Sequence, residues 1–186
     1  MRAIGPRRAD RAVVVALLAA ILLAGCGIAA PAGSPLPPPS EGPVRTPTGA
    51  VLQTRIAIEA ALRSAELALT DPQVAFRPAE SPRVAAAPRT VYQVVLPEDP
   101  AGGFIVVYEF SDAGTASTAG NELAEYLGSG PGRVQFASDT RFVLRQLGTT
   151  LVFFPWSPGS SPDPRAPKIE EALRTLGFGF DVPGAA

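Results

Sequence analysis

The sequence predicts an α+β fold: an antiparallel sheet of four or five strands with three helices on one of its faces. Three observations lead to this prediction. Residues 90–96 and 104–110 are rich in β-branched and aromatic side chains and flank a turn with proline and glycine, which is typical of a β-hairpin. Two further strand-like segments, 141–147 and 149–154, are adjacent. Segments with apolar residues at helical spacing are separate from these strands.

The first predicted helix covers residues 51–69 and ends before Pro72. Its apolar positions recur every three to seven residues, as Val51, Ile58, Leu62, Ala65 and Leu69. Its charged positions alternate in sign on another stripe, as Arg55, Glu59, Arg63 and Glu66. The next segment, 71–89, contains four prolines and predicts an irregular crossing with a short strand at 74–76.

Two more helices are predicted in the second half of the chain. Ser111 or Asp112 is expected to cap one that continues to about Leu127. The other begins at Pro167, because proline is favoured in a first helical turn, and ends near Leu176 before a glycine. Three short strands are predicted between these helices, at 133–136, 141–147 and 149–154.

The first 26 residues contain the parts of a secretion signal in their usual order. A segment with four arginines precedes an apolar run over residues 12–22, and Leu23-Ala24-Gly25-Cys26 follows. This arrangement resembles the lipobox of bacterial lipoprotein precursors. The resemblance implies cleavage between Gly25 and Cys26 and a diacylglycerol group on the Cys26 thiol. It also implies anchoring outside the cytoplasm, in the cell membrane or an outer membrane.

Two alternatives remain for this N-terminal segment: an uncleaved membrane anchor, and ordinary cleavage that leaves a free cysteine. The sequence divides into a signal peptide at 1–25, the lipidated cysteine with a linker at 26–50, and a domain at 51–186. The linker contains seven prolines, so we expect an extended stalk of up to roughly 70 Å at about 3.1 Å per residue.

Composition limits the chemistry that is available to the domain. The chain has no histidine and one cysteine, which removes the commonest general base and the usual zinc and copper ligands. We therefore expect neither an enzyme nor a metal site or other cofactor. The full chain has a net charge of −1, and the leader takes four of its arginines, so nucleic acid is not an expected partner.

The domain resembles a family of small secreted or lipobox-bearing bacterial proteins of unknown function. The resemblance rests on Val107-Tyr108-Glu109-Phe110 followed by an alanine-rich helix at 111–119, and on Arg141-Phe142-Val143. It continues in the apolar strand at 151–154 and the leucine-containing helix at 172–176. The family brings no activity with it.

Carboxylates provide two candidate sites in the domain. Glu109 stands between two aromatic residues, where a raised pKa would permit acid–base work, although an ion pair with Arg141 or Arg145 is the expected role. A cation could be imagined among four acidic residues, but their spacing matches no cation-binding loop and favours a solvated face. These four are Glu109, Asp112, Glu122 and Glu125.

The densest aromatic group, Phe153, Phe154 and Trp156, stands at the end of a strand next to a proline-rich loop. Alternation along the strand buries only one of the two phenylalanines, so the remaining rings need another cover. That cover is either the loop 155–166 and the third helix, or a partner protein. We expect a non-catalytic module for protein interaction or envelope assembly. Small-ligand or lipid binding is the alternative, and an enzyme is third.

Overall fold

The computed structural model describes residues 47–72 and 74–184, which lie in one compact unit, Arg45–Ala186. The predicted signal peptide, Cys26 and most of the predicted linker lie outside the described residues. The described helices are α1 (Gly49–Ser64), α2 (Pro82–Ala86), α3 (Ala113–Gly128), α4 (Gly130–Arg133) and α5 (Ala166–Arg174). The described strands are β1 (Leu69–Thr70), β2 (Arg89–Val94), β3 (Phe104–Glu109), β4 (Arg141–Leu147), β5 (Thr150–Trp156) and β6 (Phe178–Gly179).

All six strands form one antiparallel sheet in the order β1-β2-β3-β5-β4-β6. The predicted α+β class is therefore confirmed, with more strands than expected because the two-residue strands β1 and β6 extend its edges. The predicted hairpin is β2–β3, in which Val91 is opposite Val106. The second hairpin, β4–β5, turns at Gly148, whose φ of 58° suits a residue without a side chain.

The C-terminal end of α1 lies earlier in the chain than predicted. The helix ends at Ser64 because Glu66 adopts a left-handed backbone with φ of 61°. The Leu67 N–H then donates to the Leu62 carbonyl at 3.0 Å, as in the Schellman motif that commonly ends an α-helix. The prediction that the helix continues to Leu69 was wrong, since Leu69 belongs to β1.

Two further segments, both next to prolines, lack the strands that were predicted for them. Residues 74–76 form no strand; instead Phe76 stacks on Phe104 with 4.4 Å between ring centroids. The short helix α4 begins at Gly130 with Pro131 in its first turn, and it ends at Arg133, where a strand over 133–136 was predicted. The edge of Phe136 meets the Phe142 ring, so this segment is held by ring packing rather than by a strand ladder.

Helices cover both faces of the sheet, so the expectation of helices on one face was wrong. On one face, α1 and α5 pack on β2, β3 and β5 through buried residues that include Ile58, Leu62, Ile105, Val107, Phe154, Ile169 and Leu173. On the other, α2 and α3 pack on β3, β4 and β5 through residues that include Val84, Val106, Tyr108, Leu123, Leu127 and Phe153. Successive residues of β3 and β5 therefore enter two different cores.

None of the helices within the described ranges combines the length and apolar character that a membrane span requires.

Candidate functional site

Trp156 is the last residue of β5 and lies opposite Arg141 in the β4–β5 register. It is partly exposed, unlike the two preceding phenylalanines. Its indole N–H donates to Glu170 Oε2 of α5 at 2.7 Å, and the Arg141 guanidinium carbon lies 5.5 Å from the ring centroid. Helix α5, the third helix predicted from the sequence, thus covers part of Trp156. This agrees with the interpretation in which the domain's own loop and helix cover the aromatic group.

Phe153 and Phe154 are both fully buried, at 0% exposure. The expectation that alternation along the strand buries only one of these two rings was therefore wrong. Phe153 packs in the core beside α3 and Phe154 in the core beside α5, because each face of the sheet has its own helical layer. Of the predicted aromatic group, only Trp156 remains accessible to a partner.

A pocket of about 210 Å³ lies beside Trp156, between the β2–β3 turn and the loop that follows β5. Its apolar wall includes Leu96, Phe154 and the Trp156 side chain. Its polar wall includes Asp99 and three serines, Ser157, Ser160 and Ser161. We call this end of the domain, with the turn at 97–103, the loop at 157–165 and Trp156, the Trp156 pole.

Carboxylates hold the loops of the Trp156 pole in place. The Ser161 hydroxyl donates to Asp99 Oδ2 at 2.6 Å, which joins the loop after β5 to the β2–β3 turn. The Ser157 hydroxyl donates to Asp139 Oδ1 at 2.6 Å, and this hydrogen bond is the main cause that lowers the pKa of Asp139. These hydrogen bonds connect the loops that form the rim of the pocket.

A buried carboxylate, Asp163, completes this pole. Its side chain receives hydrogen bonds from the Arg165 guanidinium at 2.9 and 3.0 Å and from the Glu98 backbone N–H at 3.1 Å. The Arg165 hydrogen bond is the largest cause that lowers the pKa of Asp163. The loop before α5 is thus fixed by charge pairing as well as by its prolines.

The opposite end of the sheet contains Glu109, where the predicted ion pair is not formed with either arginine. The Thr48 hydroxyl donates to Glu109 Oε1 at 2.5 Å. Arg145 instead donates to backbone carbonyls that follow α5, and Arg141 lies at the other end of β4. We call this end, with Thr48, Glu109 and the turn at Gly148, the tether pole, because the linker enters the described structure here.

The four acidic residues that were considered for a cation have separate roles. Asp112 caps α3 by accepting from the Thr115 backbone N–H at 2.8 Å. Glu122 accepts from the Arg83 guanidinium at 2.8 Å, and Glu125 is exposed. Within residues 47–72 and 74–184, no group of three carboxylate, histidine or cysteine side chains is arranged to hold a metal ion.

Sequence analysis missed Asp99, the pocket serines and two buried glutamates, Glu80 and Glu170. The side chain of Glu80 is 2% exposed and accepts from the Tyr108 hydroxyl at 2.8 Å. The pairs Asp99–Ser161, Glu80–Tyr108 and Glu170–Trp156 join residues that are 62, 28 and 14 positions apart, so no local spacing marks these pairs. The one local signal was Trp156 next to a loop rich in serine and proline.

No family model matches the chain, and no curated protein and no solved structure matches it.

Proposed function

We propose that the protein is a lipoprotein, anchored outside the cytoplasm by a lipid on Cys26, and that its α+β domain binds a partner protein at the Trp156 pole. The domain acts by binding and catalyses no reaction. Two features support this proposal: the lipobox-like sequence that ends at Cys26, and the positions of the two poles on the sheet.

The tether and the pocket lie at opposite ends of the same strands. Thr48 is fixed to Glu109, the last residue of β3, whereas Trp156 is the last residue of the antiparallel strand β5. Seven residues of β5 at about 3.4 Å each separate the two poles by roughly 20 Å. A domain that is tethered at one pole therefore presents the other to partners away from the point of attachment.

Trp156 has the properties of an anchoring residue in an interface. Tryptophan and arginine are enriched among the residues that contribute most binding energy, and here Arg141 stacks on the indole. Glu170 and β5 hold the ring in one orientation, so binding costs little side-chain entropy. This half-buried, preorganised ring is the observation that carries the proposal.

Small-ligand or lipid binding is the second candidate function. An open groove of about 620 Å³ beside α1 falls in the size range of ligand sites and is lined by residues that include Gln53, Thr54 and Leu147. The helix residues that face the sheet, such as Ile58 and Leu173, are 0% exposed and fill the space that a lipid would need. This packing favours a partner protein.

A photo-crosslinking amino acid at Ser160 tests the partner proposal in intact cells. Ser160 is an exposed residue of the Trp156 pole, and Ser111 is an exposed serine near the tether pole that provides the matched control. We expect one discrete protein adduct from position 160, none from position 111, and loss of the adduct in Trp156→Ala. Equal adducts from both positions would contradict the proposal.

The lipid anchor is tested at Cys26. We expect mass spectrometry of the mature chain to find an N-terminal cysteine with a diacylglycerol group. Cys26→Ser should leave an uncleaved precursor that is still held by its apolar segment. A mature chain that begins at any other residue would refute this part of the proposal.

A further inference from the structure

Two of the three serine hydroxyls that line the pocket at the Trp156 pole donate to carboxylates. Ser161 donates to Asp99 and Ser157 to Asp139, so these two hydroxyls have only acceptor capacity left for a ligand. Asp99 Oδ1 accepts no hydrogen bond from the part of the chain that the structure describes. Among the lining residues described, Asp99 is the one ionisable side chain, so the pocket carries negative charge.

The apolar wall of the same pocket suits an aliphatic chain with a cationic end. Leu96 and Phe154 at the back of the pocket are 1% and 0% exposed, so the partly exposed Trp156 ring provides the apolar face, and this face also attracts cations. Arg141 shows that this indole accepts a guanidinium, although Arg141 does not line the pocket and lies 3.8 Å from Glu170. Lysine and arginine side chains combine an aliphatic stem with such a head group.

The size of the pocket indicates what kind of molecule enters it. Sites for whole small molecules generally span about 300–1,000 Å³. The pocket here measures about 210 Å³, which suits one side chain that projects from a larger surface.

We infer that the pocket receives a lysine or arginine side chain of the partner protein, whose cationic head binds Asp99 and whose stem packs on Trp156. This inference rests on the proposed function and specifies the chemistry of the partner. It assigns Asp99 as the residue that selects a cation and Trp156 as the wall that orients it.

The experiment uses the indole N–H resonance of the isotopically labelled full chain in detergent micelles. Trp156 is the only tryptophan, so this resonance reports on one place in the molecule. The probes are the N-acetyl amides of arginine and lysine, with N-acetylglutamine amide as the neutral control. We expect saturable shifts from the two cationic probes and binding of the neutral probe that is at least about tenfold weaker, as for loss of a charged hydrogen bond.

Two matched variants locate the selectivity at Asp99. Asp99→Asn keeps the shape of the side chain and removes its charge, so cationic probes should bind about tenfold more weakly. Glu98→Gln changes an adjacent exposed acid that does not line the pocket and should leave binding unchanged. An equal loss of cationic-probe binding in both variants would mean that the net charge of this surface, and not Asp99, determines binding. That result would overturn the inference.

The probe comparison in the unaltered chain decides the inference even if Asp99→Asn fails to fold. Equal shifts from the arginine and glutamine amides would overturn the cation assignment. A larger shift from glucose, a neutral sugar, than from the arginine amide would overturn it as well. Spermidine that binds more than tenfold tighter than the arginine amide would make a free polyamine the ligand and overturn the partner side chain. An adduct from Ser160 without cation binding would overturn this inference alone and leave the proposed function in place.

Discussion

Glu80 and Glu170 are two buried carboxylates with equivalent partners in two different settings. Each accepts a hydrogen bond from an aromatic side chain on the sheet, Tyr108 for Glu80 and Trp156 for Glu170, at 2.8 and 2.7 Å. Each also faces two arginines: Arg77 and Arg89 at Glu80, and Arg141 and Arg174 at Glu170. The two centres lie on opposite faces of the sheet.

The two centres differ in how far the aromatic partner of the glutamate is buried. Tyr108 is 0% exposed, and the Glu80 side chain is 2% exposed beneath the crossing that leads to α2. Trp156 is partly exposed beside a pocket, and the Glu170 side chain is 10% exposed. Glu80 attaches the segment before α2 to the sheet through Tyr108. Glu170 fixes the orientation of Trp156 at the surface. The same chemical group thus closes a buried contact at one place and orients a partly exposed ring, the proposed recognition residue, at the other.

The largest effect is expected when each of the two carboxylates is removed in turn. Glu80→Ala leaves the Tyr108 hydroxyl buried without its acceptor, so we expect a loss of about 3 kcal/mol in the free energy of unfolding. Glu170→Ala should cost only about 1 kcal/mol, because Trp156 is partly exposed whereas Tyr108 is 0% exposed.

Urea denaturation measures both losses, and Glu171→Ala provides the control. Glu171 is an exposed neighbour on the same helix, so its removal should change the free energy of unfolding by less than about 0.5 kcal/mol. Equal losses in Glu80→Ala and Glu170→Ala would contradict the difference drawn between the two centres.

The second test uses alkaline pH at Tyr108. Burial, and then the Glu80 carboxylate, raises the pKa of Tyr108 far above its usual value of about 10. The unfolded chain therefore releases the tyrosine proton first as pH rises, and stability that is complete below about pH 10 falls above it. Tyr108→Phe should remove most of this fall and cost about 1 kcal/mol at neutral pH.

Tyr92 is the matched comparison for that experiment. Burial raises the pKa of Tyr92 as well, while the nearby Arg55 guanidinium acts in the opposite direction. Tyr92→Phe should therefore reduce the alkaline loss of stability less than Tyr108→Phe does. Thermal unfolding followed by circular dichroism between pH 8 and pH 11 measures both variants, and the reverse order would contradict the stronger combined effect of burial and Glu80 on the pKa of Tyr108.

The third test concerns an exposed carboxylate, Asp112, as a reference for the two buried ones. Hydrogen bonds from the backbone and side chain of Thr115 lower the pKa of Asp112 to about 2. Its contribution to stability is therefore complete above the usual aspartate pKa and is lost as pH falls towards 2. Asparagine also caps helices, so Asp112→Asn should keep α3 and reduce the acid dependence of the melting temperature.

Asp139 and Asp163 also have lowered pKa values and contribute in the same acidic range. Some acid dependence should therefore persist in Asp112→Asn. A melting temperature with unchanged acid dependence in this variant would contradict the role of Asp112 as an ionised cap.

Elements that depend on local patterns could be predicted from the sequence. The β2–β3 hairpin follows from its alternating residues and glycine-containing turn, and α3 follows from the cap at Asp112. The burial of both Phe153 and Phe154 was missed because one-sided alternation was assumed. The unbroken apolar run at 151–154 is typical of a strand that is covered on both faces.

The candidate site could be predicted only at Trp156. Asp99 reaches the pocket because Ser161 binds it across 62 positions of the chain, and Tyr108 meets Glu80 across 28 positions. Such pairs depend on the order of the strands and on which face each helix covers, and residue spacing does not specify either. In the sequence, the serines after Trp156 are typical of any loop. Only the fold places them beside the β2–β3 turn, where they line the pocket.

The smallest expected effect comes from removal of the linker. The Thr48 side chain accepts from the Val51 N–H at the start of α1 and donates to Glu109, so a chain that begins at Thr48 retains these bonds. It should melt within about 2 °C of a chain that begins at Gly27, because proline-rich segments offer few groups to pack. Starting at Val51 instead deletes the cap and should lower the melting temperature by about 3 °C, as for a loss near 1 kcal/mol. A larger drop on starting at Thr48 would mean that the linker stabilises the domain, and the tether pole would then need to be redefined.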